Sequence, residues 1–232
     1  HLAYREQQYA DAIPHYERAK QTSEGARDAY TYNYLGVSYY RTGNYALALE
    51  NLSRAVELST GNDEYAGFDD PYRKLAEMGI ALTEEGGEQN FTVAREALAI
   101  VAQRYRGDAP VMTNLCTANA GLNRLEEAIA ACRRAAEIEP ENGFFAGRLA
   151  HLLLTNDQPE DALPVAQRAV EVAPDLSLSW RVLGEAMQVL GNPQDAVQAF
   201  RRALELDPGN TRAQQGLNAL LGNAAPDTNA GE

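Results

Sequence analysis

The sequence predicts an all-α solenoid, in which antiparallel helix pairs stack on one another along the chain. Three observations predict this fold class. Similar residues recur every 34 positions, each repeat contains two segments whose apolar residues recur at three- and four-residue spacing, and small residues stand at fixed places within those segments. Such a period is typical of a solenoid, because a single helix pair cannot bury its apolar face alone and needs a stacked neighbour.

The period is clearest in the second half of the chain, which divides without a gap into units 109–142, 143–176 and 177–210. Four columns of similar residues carry it: Leu183, Leu149 and Leu115; Ala196, Ala162 and Ala128; Ala203, Ala169 and Ala135; and Pro208, Pro174 and Pro140. We therefore expect three successive helix pairs in this part of the chain.

The unit 177–210 shows how each repeat is built. Its segments Leu178–Leu190 and Gln194–Leu206 both have the apolar spacing of an amphipathic helix. Gly191-Asn192 separates them as a turn, and Pro193 suits the first position of the second helix. The proline at the end of the unit stops that helix, because its ring cannot continue the helical hydrogen bonding.

Small residues mark the places where helices must come close. Gly184 and Ala196 are expected at the contact within the pair, and Ala203 at the contact with the next unit. The full pattern of the unit resembles the tetratricopeptide repeat family, and it consists of Trp180, Leu183, Gly184, Ala196, Phe200, Ala203 and Pro208. The resemblance implies a right-handed superhelix whose first helices line the concave side.

The pattern extends towards the N-terminus. Leu35-Gly36 and Ala48 indicate a unit at 29–62, and a deviant unit follows at 69–108. In the deviant unit we expect Leu75-Ala76 at the place of Leu183-Gly184, with Ala94 at the place of Ala196. That alignment leaves six extra residues, which we expect as an insertion in a loop at Thr83–Asn90.

The segments outside the full repeats lack part or all of the repeat pattern. Residues 1–26 are expected to form a partial N-terminal repeat, so that the chain begins inside a repeat, and residues 63–68 a linker. Residues 211–221 continue the phase without a second helix and are expected to form a capping helix with its polar residues outward. Residues 222–232 are small and polar and are expected to form a flexible tail.

Composition and motifs exclude several function classes. The net charge of −13 argues against a nucleic-acid partner, whose phosphates require a basic surface. No apolar run is long enough to insert into a membrane. No glycine-rich phosphate loop, HExxH or CxxC occurs, and the three histidines are far apart in the repeat. We therefore expect no enzyme activity, no catalytic or metal-binding residues and no cofactor.

The two cysteines, Cys116 and Cys132, lie in one repeat, at the places of Gly184 and Phe200. These places lie on facing sides of paired helices. Two interpretations remain open: a pair of small buried thiols, or a disulfide bond within the repeat. The state of the two cysteines indicates the compartment, because a reduced pair favours the cytoplasm and an oxidised pair favours the periplasm or secretion.

The resemblance implies a scaffold that binds a partner protein or peptide in the groove lined by the first helices. Function must still be argued from the residues in that groove. The candidates lie beside the central leucine of each unit, and they are Tyr30, Asn33, Tyr34, Arg73, Lys74, Asn114, Phe144, Arg148, His151 and Arg181. Basic and aromatic side chains in an acidic protein indicate a ligand that carries a carboxylate.

Some members of the family hold a peptide's terminal carboxylate with basic and asparagine residues from three units. Arg73, Asn114 and Arg148 match three of those places, whereas Glu77 and Phe144 depart from the pattern at two others. We therefore expect a carboxylate from either a C-terminus or an acidic side chain. Two alternative functions remain, namely an element for self-association and a regulatory segment of a larger enzyme.

Overall fold

A computed structural model describes residues 8–59 and 70–222 of the chain. Within these ranges the secondary structure is helical and contains no strand, which confirms the all-α fold class. The predictions for His1–Gln7, for the linker 63–68 and for the tail beyond Gly222 lie outside the described residues.

Twelve α-helices are described in these ranges. They are α1 (Tyr9–Lys20), α2 (Ala29–Arg41), α3 (Tyr45–Ser59), α4 (Pro71–Glu85), α5 (Glu88–Arg104), α6 (Ala109–Gly121), α7 (Leu125–Ile138), α8 (Gly143–Thr155), α9 (Pro159–Val172), α10 (Ser177–Val189), α11 (Pro193–Leu206) and α12 (Thr211–Gly222). A short 3-10 helix, Gly25–Arg27, lies between α1 and α2.

The chain divides into two compact parts, each larger than a single repeat. They are residues 1–124 and 125–232, which we call unit 1 and unit 2. In unit 1 the pairs α2–α3 and α4–α5 pack together, with α1 against α2 and α6 against α5. In unit 2 the pairs are α8–α9 and α10–α11, with α7 against α8 and α12 against α11. In unit 2 the first helices α8, α10 and α12 also contact each other in sequence.

Polar side chains fix where several helices begin. Asp28 accepts hydrogen bonds from the backbone N–H groups of Tyr30 and Thr31 at the start of α2. Asp108 accepts from Val111 at the start of α6, and Asn142 accepts from Phe144 at the start of α8. These bonds satisfy N–H groups that have no partner inside the helix, so each acts as an N-cap.

Glycines allow close contact inside the helix pairs. A Cβ atom added to Gly36 would lie 2.7 Å from Cγ of Leu52, and one added to Gly184 would lie 2.8 Å from Cδ1 of Phe200. Both distances are too short for any side chain, so the glycine lets the large residue of the facing helix lie against its backbone. The predicted close contact at Gly184 is therefore present, and the residue of the facing helix that occupies it is Phe200.

The deviant unit differs from the prediction in register. The residue that lies against the facing helix is Gly79, whose added Cβ would be 2.7 Å from Cγ of Leu98. Ala76, which was expected at this place, is only half-buried. The assignment of Ala76 was wrong by one helical turn, because residues three apart lie on nearly the same face of a helix.

The corrected register shortens the insertion and changes its form. Gly79 and Ala94 enclose three residues more than Gly184 and Ala196 do. The predicted loop Thr83–Asn90 is absent, because α4 continues to Glu85 and α5 begins at Glu88. Gly86 and Gly87 make the turn with φ of 72° and 92°, angles that glycine adopts without steric cost. The extra residues lengthen the helices.

Helix α12 begins at the predicted residue and ends one residue later, at Gly222. Ala213 and Leu217 are buried against Phe200 and its neighbours, while Arg212, Gln214, Gln215 and Asn218 are exposed. A terminal helix with one apolar face and one polar face closes the end of a stacked core.

Candidate functional site

The first helices of unit 2 carry a connected group of charged side chains, which we call the α8–α10–α12 network. Arg181 donates to Oε1 of Glu185 one turn along α10. Oε2 of Glu185 faces Nδ1 of His151 on α8 at 3.7 Å. Nε2 of His151 lies 2.8 Å from Nη1 of Arg212 on α12. Four side chains thus connect the first helices of two successive repeats with the capping helix.

The contact with Arg212 indicates which ring nitrogen of His151 accepts a hydrogen bond. A guanidinium group can only donate, so Nε2 of His151 is the acceptor in this contact. Nδ1 of the same ring faces the carboxylate of Glu185. The network therefore joins the guanidinium groups of Arg181 and Arg212 through the carboxylate of Glu185 and the ring of His151.

Two opposing causes set the acidity of Glu185. Its burial alone would raise the pKa, but the interactions with His151 and Arg181 outweigh burial and lower it. Arg181 is 8% exposed at its side chain. A guanidinium so deeply placed is stabilised by its carboxylate partner, so Glu185 remains ionised.

Phe144 and Arg148 form a second feature on α8. The side chain of Phe144 is 41% exposed, although it is large and apolar. The guanidinium carbon of Arg148 lies 5.7 Å from the centroid of its ring, within the range of a cation–π contact. Burial lowers the pKa of Arg148.

In unit 1 the candidate surface is aromatic. Tyr34 on α2 lies between Tyr30 and Tyr16, with ring centroids 6.1 and 5.9 Å away. Tyr30 and Tyr34 are half-buried, whereas Tyr16 is buried in the contact between α1 and α2. Asn33, another candidate, is also buried, so it is placed to support the surface and not to contact a ligand directly.

The basic candidates of unit 1 have partners on their own helices. Arg73 and Lys74 both contact Glu77, with N–O distances of 3.1 and 3.4 Å. Nδ2 of Asn114 donates to the carbonyl of Pro110. Arg73 and Asn114 belong to unit 1 and Arg148 to unit 2. A common action of these three residues on one carboxylate stays a prediction.

Sequence reasoning missed Arg212 as a member of the site. Its helix was expected to present polar residues outward as a cap. Arg212 nevertheless stands 34 residues after Leu178 and 68 after Phe144, in a column that includes a candidate. Following the candidate columns into the terminal helix would have found it.

The structure leaves neither cysteine as a free thiol, and both Cys116 and Cys132 are buried and disulfide-bonded. Among the described residues, no group of three or more His, Cys, Asp or Glu side chains is arranged to hold a metal ion. In the same ranges, no helix combines the length and the apolar character needed to cross a membrane.

Comparison with solved structures shows the fold. The protein YrrB, described as a TPR protein with an unusual peptide-binding site, matches with a TM-score of 0.60 and 15% identity over 86% of this chain and 96% of its own. A crystal structure of MamA matches with a TM-score of 0.58 and 17% identity, over 77% of this chain and 97% of its own. MamA from Desulfovibrio magneticus RS-1 matches with a TM-score of 0.57 and 20% identity, over 66% of this chain and 84% of its own.

Protein-family models match most of the repeats of the chain. No curated protein matches the sequence. One tetratricopeptide repeat model matches residues 83–142 and 148–211, and a second matches residues 29–62. The first model alone accounts for more than half of the chain. The chain therefore belongs to the tetratricopeptide repeat family.

Proposed function

We propose that this chain is a non-catalytic scaffold that binds a peptide segment of a partner protein on the face of its first helices. One observation carries the proposal: charged and aromatic side chains, only partly buried, lie on this face in unit 2, among them Phe144, Arg148 and His151. Binding sites of this kind combine apolar contact area with a few placed polar groups. The peptide-binding site named for YrrB supports the proposal by analogy of fold.

The peptide carries a carboxylate, and Arg148 is its main contact. Arg148 lies beside the exposed ring of Phe144, with its guanidinium carbon 5.7 Å from the ring centroid. Its planar guanidinium can hold both carboxylate oxygens at once. Asn114 and Arg73 belong to unit 1 and have partners on their own helices, so the carboxylate proposal rests on Arg148.

The proposal is tested in two steps. Capture of partners from a lysate of the source organism, followed by peptide mapping, supplies a synthetic peptide. Calorimetry at two salt concentrations then compares wild type with Arg148→Ala, which should weaken binding by about 1.5–3 kcal/mol. Arg148→Lys should restore only part of the affinity, because lysine lacks the planar fork.

A matched control is Arg134→Ala, which removes an exposed arginine of α7 that pairs with Glu137 on its own helix. Its affinity should equal that of wild type. Equal affinities for wild type and Arg148→Ala would contradict the role of Arg148. A peptide that binds equally well after its carboxylates are amidated would contradict the proposed ligand class.

We also propose that the cysteines form their disulfide in the cell, which places the chain in an oxidising compartment. The protein is alkylated under denaturing conditions, with and without a reductant, and its mass is measured. Both thiols should react only after reduction. Alkylation of both without reductant would exclude the disulfide and favour the cytoplasm.

A further inference from the structure

An apolar cleft of about 620 Å³ lies on unit 2 where two connections between repeats meet. One connection joins α7 to α8, and the other joins α9 to α10. Pro140, Phe144, Ala173 and Leu176 supply its apolar lining. Its place at the start of α8 makes it a neighbour of the surface proposed to bind peptide, because Phe144 belongs to both.

Side chains hold both walls of the cleft in place. In the first wall, Asn142 caps α8 and its Nδ2 donates to Glu139 at 3.0 Å, while Arg168 holds Glu141 at 2.7 Å. In the second wall, Nε1 of Trp180 donates to the carbonyl of Pro174 at 2.8 Å. A cleft whose walls are fixed before binding loses little conformational entropy when a ligand enters.

The two walls approach closely through a glycine. A Cβ atom added to Gly143 would lie 2.4 Å from Cβ of Ala173. At the next junction the equivalent residue is Ser177, whose hydroxyl donates to the carbonyl of Ala203 and accepts from Asn210. There a side chain joins the two connections by hydrogen bonds, whereas at Gly143 no side chain lies between them.

The charged side chains that line the cleft are all acidic, although Arg168 pairs with Glu141 from outside the lining and Arg148 contacts Phe144. Glu139, Glu141 and Asp175 line it, and no lysine or arginine does. An apolar floor below carboxylates suits a side chain that has an aliphatic stem and a cationic head, since such a side chain can bury its stem and keep its charge at the rim. Arginine and lysine have this form, and arginine also stacks on aromatic rings such as that of Phe144.

We infer that this cleft, which we call the Phe144 cleft, binds an arginine or lysine side chain of the partner peptide. The inference rests on the proposed function and sharpens it. Phe144 contacts Arg148 as well as lining the cleft, so a cationic residue in the cleft and a carboxylate at Arg148 would occupy adjacent places. The preferred ligand then carries both charges in a fixed order, which sets the direction in which the peptide binds.

The test uses N-acetyl-arginine-methylamide as probe and the whole chain with isotope-labelled phenylalanine. The chain has five phenylalanines, so the Phe144 signal is assigned by its loss in Phe144→Leu. Titration should shift the Phe144 resonances to saturation. The citrulline analogue has the same shape without the charge, and its affinity should be lower by about threefold or more, as for one exposed ion pair.

The matched variant is Glu139→Gln with Asp175→Asn, which removes two charges and keeps hydrogen-bonding groups of the same size. Its helix content is checked by circular dichroism. The affinity for the arginine probe should fall by about threefold or more. An unchanged affinity, an equal affinity for citrulline, or no shift of Phe144 up to the solubility limit of the probe would overturn the inference.

The two proposals fail separately. If Arg148→Ala weakens binding of the partner peptide while the variant Glu139→Gln with Asp175→Asn binds it as wild type does, peptide binding stands and the inference about the cleft falls. If the arginine probe binds and the peptide is insensitive to Arg148→Ala, the cleft stands and the carboxylate contact falls.

Discussion

All twelve tyrosines of the chain lie between Tyr4 and Tyr105, in unit 1, whereas its single tryptophan, Trp180, lies in unit 2. The close contacts inside the helix pairs also differ between the two units. Gly36 in unit 1 faces a leucine, and Gly184 in unit 2 faces a phenylalanine. The comparison shows that a repeat needs a small residue opposite a large one, while the identity of the large residue is open.

The polar contacts of the two units differ in chemistry. In unit 1, hydroxyl groups of Tyr39 and Tyr105 donate to Glu17 and Asp70, each at 2.9 Å. In unit 2, the corresponding role falls to arginine, glutamate and histidine in the α8–α10–α12 network. Tyrosine hydroxyls lose their proton in base, so the contacts of unit 1 should weaken at high pH in a way that unit 2, which has no tyrosine, does not share.

The largest effect is expected for Phe200→Ala in unit 2. Phe200 is fully buried, and its ring occupies the space left open by Gly184 and by Gly216. Its loss should cost about 3–5 kcal/mol, because the cavity cannot collapse fully. Urea unfolding followed by Trp180 fluorescence measures it. Val189→Ala is the control, since Val189 is 63% exposed and should cost less than about 0.5 kcal/mol.

Glu185→Gln tests the network of unit 2. The change leaves the buried Arg181 without its charged partner, and it should cost about 1.5–3 kcal/mol at neutral pH. The folded state lowers the pKa of Glu185, so its contribution is present above its unfolded pKa and is lost as pH falls through the folded value.

The difference between wild type and Glu185→Gln in Trp180-detected unfolding should therefore shrink in acid. Glu171→Gln is the matched control, because Glu171 is exposed and pairs with Arg168 on its own helix. A difference that stays constant between neutral and acidic pH would contradict the ionised state of Glu185.

The register of unit 1 is tested by placing the same side chain at two positions. Gly79→Val should cost on the order of 1–3 kcal/mol, because the new side chain would collide with Leu98. Ala76→Val should cost less than about 1 kcal/mol, since that residue is half-buried and only helix propensity changes. Thermal unfolding followed by circular dichroism compares them. A larger loss of stability for Ala76→Val than for Gly79→Val would contradict the corrected register and support the alignment predicted from sequence.

The smallest effect is expected for Tyr39→Phe, at about 0.5–1.5 kcal/mol for one hydrogen bond. Burial, followed by the hydrogen bond to Glu17, raises the pKa of Tyr39 to about 12. A raised pKa means that the contribution is fully present below the unfolded value of about 10 and is lost as pH rises through the folded value.

Wild type should thus lose stability between about pH 10 and about pH 12 more steeply than Tyr39→Phe does. Tyrosinate absorbance and urea unfolding across this window measure the effect. Tyr72→Phe, which removes a hydroxyl from the same unit, serves as the control. Identical pH profiles for wild type and Tyr39→Phe would contradict the raised pKa.

The sequence by itself determined the repeat, the helix pairs and most helix ends. These features follow from interactions between residues close in the chain: apolar spacing along one helix, the capping side chain of Asp108, and the proline at the start of α11. That Gly184 and Phe200 lie on facing sides of paired helices could also be predicted from the sequence, because a strict period determines both positions at once.

Only the tertiary structure decided which helix face is buried where the period is broken. Ala76 and Gly79 lie on nearly the same face of α4, and the packing of Leu98 against Gly79 selects between them. The same holds for the charges of unit 2. His151 and Arg212 are separated by 61 positions, and their contact depends on how three helices stack. Periodicity places side chains along a helix, but their partners across helices are chosen by packing.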